Sequence, residues 1–164
     1  MNSKKVVMAS MFAALCCVAT MIIKIPSPMK GYINIGDCVV LLSGFMLSPL
    51  YGFLAAGVGS ALADIFLGYV IYAPVTFVIK GTMALVAYYG YMLIRKRLGN
   101  TLSRVMSGAL AEFVMVSGYF IAESFMYGVI PAMSSIPGSI FQGTVGLILG
   151  VILVKIFEKN KISF

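Results

Sequence analysis

Apolar residues dominate this chain in long runs, and the few polar positions inside them set the boundaries. Val6 to Ile23 is an apolar stretch long enough for a helix to cross about 30 Å of hydrocarbon at ~1.5 Å rise per residue. Lys24 to Asn34 carries Pro26, Pro28, Lys30 and Gly31 and reads as a loop long enough to fold over a site. Ile35 to Leu47 is a short second run that stops at Ser48 and Pro49, and Tyr51 to Leu67 follows almost at once, which predicts a tight helical hairpin. Pro74 opens a fourth run to Ile94. Val105 to Tyr127 and Ser139 to Phe157 supply the fifth and sixth, separated by a turn containing Pro131, Pro137 and Gly138. The pattern therefore predicts an all-α integral membrane protein, a single six-helix bundle over residues 1–164.

Composition agrees: 61% of the 164 residues are hydrophobic and only 10% charged, with mean hydropathy +1.04, far from the balance of a water-soluble domain. The net charge of +7 does not point to nucleic acid, because the basic residues gather at the chain ends and at Arg95, Lys96, Arg97 and Arg104, between apolar runs. The positive-inside rule then places both termini and that basic loop in the cytoplasm, and six crossings satisfy this parity. The first segment begins like a signal peptide, with Lys4 and Lys5 before an apolar stretch, but it is long and lacks a convincing cleavage site, so it is expected to remain as the first span.

Ionisable residues inside apolar runs are costly in lipid and mark ligand or ion pathways. With the orientation above, Asp37 opens the second helix, Asp64 lies near the end of the third, Lys80 is early in the fourth, Glu123 is late in the fifth and Gln142 is early in the sixth. All fall toward the outer face, so several helices contribute polar groups at one level, as a small-molecule pocket requires. Tyr119 stands one turn before Glu123, and Val116 and Glu112 continue that stripe. A structural alternative pairs Lys80 with Asp64 or Glu123 as an ion pair between helices. Three carboxylates against one lysine still leave a surplus that must meet water, backbone donors or a ligand. Asp37 suits either a helix N-cap or a ligand contact. Glu112, deeper in the bundle, reads as a packing residue. Tyr32, Tyr69, Tyr72 and Tyr127 suit an interfacial belt or an aromatic slot.

Several chemistries are excluded. There is no histidine, Cys16, Cys17 and Cys38 have no metal-ligand or redox spacing and read as small buried apolar groups, and neither HExxH nor an aspartate-dense helix pair occurs. A proton-coupled exporter relaying through Glu123 or Glu112 is the competing class. Ala55, Gly59 and Ala63, and Gly146 with Gly150, repeat at four-residue spacing and predict close helix packing.

Three stretches carry a family resemblance. Residues 32–53 (YINIGDCVVLLSGFMLSPLYGF), 57–64 (GVGSALAD) and 72–81 (YAPVTFVIKG) resemble the signature region of the substrate-binding S components of energy-coupling factor (ECF) vitamin transporters. The resemblance implies a protein of the bacterial cytoplasmic membrane that is not an enzyme. It implies a small heteroaromatic vitamin as ligand, pyridoxine-like or hydroxymethylpyrimidine-like, with riboflavin as the alternative. Asn34, Asp37, Asp64, Tyr72, Lys80, Tyr119, Glu123 and Gln142 are then the candidate ligand contacts. It also implies a transmembrane coupling subunit, docked on the first helix through an Ala-xxx-Ala patch that Ala9 and Ala13 match, and two ATPase subunits. The chain has no GxxxxGK[ST] phosphate loop, so no cofactor is expected in it and ATP is expected to be used by the partners.

Overall fold

The computed structural model describes residues 3–26 and 32–160. Helix α1 (Ser3–Ile22) leads into two short strands, β1 (Lys24–Pro26) and β2 (Tyr32–Asn34), followed by α2 (Asp37–Met46), α3 (Pro49–Phe66), α4 (Ala73–Tyr127) and α5 (Val129–Lys159). α1, α3, α4 and α5 are long and apolar enough to cross a membrane, and α2 is a shorter apolar helix.

Where a loop was expected between Lys24 and Asn34, β1 and β2 pair antiparallel, Lys24 opposite Asn34 and Pro26 opposite Tyr32. Pro28, Lys30 and Gly31 lie outside the described residues.

α4 is one helical run only in name. Its backbone breaks at Gly99, where φ 74 and ψ 171 fall in a region that only glycine adopts freely. The two arms fold back on each other: Tyr119 donates to Thr76 at 3.2 Å, Gly118 abuts Ile79, and Gly90 abuts Ser107. The basic segment expected as a loop is thus helical on both sides of this glycine, because Arg, Lys and Leu are good helix formers and nothing but Gly99 interrupts them. Arg104 is buried rather than free in that segment. Its guanidinium sits 5.0 Å over the Tyr91 ring and clasps Glu158 of α5, with one bond at 2.9 Å, so it ties the hairpin to the end of the last helix.

The turn expected around Pro131, Pro137 and Gly138 is likewise helix. The reversal is made by Gly128 alone, at φ 96, and α5 begins immediately after it. Pro131 falls in the first turn, where its missing N–H has no intrahelical partner to lose, and Pro137 is accommodated inside the helix.

α2 forms the centre. Val40, Leu41, Leu42 and Ser43 are wholly buried, which is what an all-round apolar helix requires, and α1, α3, α4 and α5 surround it. Glycines set the seams: a Cβ on Gly44 would meet the Ala84 carbonyl at 2.6 Å, and one on Gly150 would meet the Cys38 carbonyl at 3.3 Å. Gly59, between the buried Ala55 and Ala63, faces Ala13 and Cys16 of α1. All three cysteines are buried and unbridged. Outward, α1 presents Val7, Met11, Leu15, Val18 and Ile22, an apolar exterior suited to lipid.

Candidate functional site

A cavity opens between β2 and the ends of α1, α3, α4 and α5 that meet there, enclosing about 600 Å³ of empty space when the open solvent at its mouth is counted. Asn34, Asp64, Tyr72, Lys80, Tyr119, Glu123 and Gln142 all line it, so seven of the residues singled out from sequence converge on one space.

Asp37 is the exception. It is fully buried, outside the lining, and accepts bonds from Lys80 Nζ and, at 2.7 Å, from Gln142 Nε2. Nor does it cap α2: the cap position is Gly36, and Asn34 Oδ1 takes the Gly36 N–H at 2.8 Å. The ion pair of Lys80 is therefore with Asp37, not with Asp64 or Glu123, because α2 packs alongside the first arm of α4 at this level. Gln142 bridges the pair to the strands: its Oε1 accepts the Asn34 backbone N–H at 2.9 Å.

Two carboxylates remain at the cavity wall. Asp64 Oδ1 accepts the Tyr32 hydroxyl at 2.6 Å, and Glu123 accepts from Ser135, with Tyr72 beside it. Burial, and then the Asp64 carboxylate, push the Tyr32 phenol upward, so it stays a donor. Tyr32 and Tyr69 pack with ring centroids 4.8 Å apart, Tyr72 and Tyr127 at 6.4 Å, and Lys80 Nζ lies 5.5 Å from the Tyr119 ring centre. Tyr32, Tyr69, Tyr72 and Tyr119 thus border the cavity, while Tyr127 packs against Tyr72 outside its lining.

Thr20, Ser60, Ser135 and Ser139 also line the space and were not singled out from sequence. Serine and threonine are routine in membrane helices, where their hydroxyls bond a carbonyl of the preceding turn, so they carry no signal of their own.

Glu112 lies away from the cavity, packed against Gly143 and Gly146 of α5, and neither carboxylate oxygen has a partner among the described residues. On α1, Ala9 and Ala13 are half-buried against the core, while their neighbours Ser10 and Ala14 face outward.

Comparison with known proteins agrees with this architecture. A Pyrococcus woesei protein described as "Uncharacterized protein in gap 3'region" is 36% identical over 144 residues, 87% of this chain and 94% of that one. A solved structure described as "Structure and mechanism of the S component of a bacterial ECF transporter" superposes with a TM-score of 0.77 at 25% identity, covering 97% of this chain and 98% of that one. The family model described as "ECF-type riboflavin transporter, S component" matches residues 1–159, a family of transporter subunits and not of enzymes. With nearly its whole length matched by that model, the chain belongs to the ECF-type riboflavin transporter S-component family.

Proposed function

We propose that the chain captures a small heteroaromatic vitamin, pyridoxine-like or hydroxymethylpyrimidine-like, at the outer face of the cytoplasmic membrane. A coupling subunit and two ATPase subunits would then deliver it inward. In this reading the chain crosses the membrane six times with both termini inside, the two arms of α4 and the short α2 each counting as one crossing. The observation that carries it is the cavity itself, where four tyrosines meet carboxylates and amides brought together from several helices. The family's name makes riboflavin the second reading.

The test is mass spectrometry of small molecules that copurify with the detergent-solubilised chain, followed by calorimetry with the compound found. A bound vitamin is expected, with binding that needs no proton gradient. Uptake by the chain alone, driven by a pH gradient, would instead establish a proton-coupled carrier, the reading favoured by the unpartnered Glu112.

Docking is proposed on α1 at the edge formed by Ala9 and Ala13 with the exposed Ser10 and Ala14, where small residues permit close helix approach. Ser10→Leu with Ala14→Leu adds bulk only on the outward side. That double variant is expected to bind vitamin normally and to lose uptake in cells supplying the coupling and ATPase subunits. Ala9→Leu with Ala13→Leu also wedges the seam with Gly59, so it should lower the melting temperature as well. Normal uptake by the outward double variant would remove the docking role.

A further inference from the structure

The cavity's charges are unbalanced. Lys80 is the only cationic side chain among the described lining residues, and Asp37 already neutralises it from behind. Asp64 and Glu123 keep their carboxylates at the wall.

On α3 the imbalance becomes specific. Asp64 is 4% exposed, its Oδ1 takes the Tyr32 hydroxyl and the Thr76 hydroxyl stands beside the carboxylate, yet Oδ2 completes no hydrogen bond among the described residues. Ser60, one turn earlier on the same face and 1% exposed, has an unpartnered hydroxyl too. Both line the cavity. Buried polar groups are rarely left unpaired, because each costs the desolvation of the group, so two such groups side by side at a cavity wall point to a ligand that completes them. Their chemistry restricts that ligand. An ionised carboxylate oxygen only accepts, whereas a hydroxyl accepts and donates, and residues four apart on a helix stand about 5–6 Å from each other.

We propose that Ser60 and Asp64 form a recognition edge for a planar nitrogen heterocycle. An exocyclic amino group donates to Asp64 Oδ2, and the ring nitrogen beside it pairs with the Ser60 hydroxyl. Resting on the vitamin-pocket reading above, this assigns the substrate class as an aminopyrimidine. A 3-hydroxypyridine brings a phenolate to a cavity whose one described cation is already neutralised. A flavin presents a dioxo edge, two carbonyl acceptors about a single N–H, toward a wall that itself accepts.

The test is calorimetry on the full chain in lipid nanodiscs with four probes: 4-amino-5-hydroxymethyl-2-methylpyrimidine, its 4-oxo analogue, pyridoxine and riboflavin. The aminopyrimidine is expected to bind at least about 10-fold more tightly than the other three, the scale of one charge-assisted hydrogen bond. Asp64→Asn keeps an acceptor for Tyr32 but turns the other oxygen into a donor. It should weaken the aminopyrimidine by about 10- to 100-fold and reverse its advantage over the 4-oxo analogue. Ser60→Ala removes a hydroxyl that holds nothing in the fold, so its melting curve should be unchanged while affinity falls about 2- to 10-fold. Tighter binding of riboflavin or pyridoxine, or an aminopyrimidine indifferent to both substitutions, would overturn this assignment and leave the vitamin pocket standing. Failure of all four probes to bind the wild-type chain would overturn the pocket reading along with it.

Discussion

Lys80→Met is expected to destabilise the folded chain by about 3–5 kcal/mol, the usual cost of removing one partner from a buried ion pair. The lysine and Asp37 are both buried, at 2% and 0% exposure, and once Nζ is gone the Asp37 carboxylate keeps the Gln142 amide as its one side-chain donor among the described residues. Methionine fills most of the vacated space, so the loss is electrostatic and not a cavity effect. The double variant Lys80→Met with Asp37→Asn removes both charges and keeps an acceptor for Gln142, and it should recover most of the stability. Reversible unfolding of the two single variants and the double variant in detergent measures the coupling. Additive losses would mean that the pair contributes nothing to the fold. Unchanged melting of Lys80→Met with weakened vitamin binding would assign the lysine to the ligand instead.

The second large effect is expected at Gly146. A Cβ there would stand 2.6 Å from the Asp37 Cβ and 3.2 Å from Glu112 Oε1, so in Gly146→Ala even one methyl must push α5 away from α2 at the level of the ion pair. Overpacking of this kind costs about 1–3 kcal/mol, and the displacement should also separate Gln142 from Asp37 and weaken vitamin binding. Gly150→Ala is the informative contrast. Its Cβ would meet its neighbours at 3.3 Å, which asks α2 to yield by only a few tenths of an ångström, and alanine gains up to about 1 kcal/mol of helix propensity over glycine. Near-neutral stability is therefore expected at Gly150 and a clear loss at Gly146, measured by thermal melting. Equal effects at the two positions would show that the seam does not discriminate by distance.

Most of the helical runs and the convergence of the polar groups were legible because apolar length and isolated charges are strong signals in a membrane chain. Asp64, Lys80, Glu123 and Gln142 reach one cavity for that reason. The partner of Lys80 was not legible. Three acids were available at similar depth, and only the placement of α2 beside the first arm of α4 selects Asp37. The start of α5 was hidden by Pro131 and Pro137, which suggest a break although the first falls in a first turn and the second is tolerated within the helix, while the true reversal occupies the single residue Gly128. Ser60 gave no sign of itself, since a hydroxyl without a partner is visible only once its surroundings are known.

The brevity of α2 bears on how the chain is made. Its 10 residues rise only about 15 Å, half the hydrocarbon thickness, and it opens on an aspartate. The groups that satisfy Asp37 lie 43 and 105 residues further along, on α4 and α5. A nascent chain can therefore offer this carboxylate its lysine only once the first arm of α4 has been made, and its amide only with α5. The central place of α2 is thus completed only by helices made after it, and a chain truncated before α5 would be expected to expose it to membrane quality control.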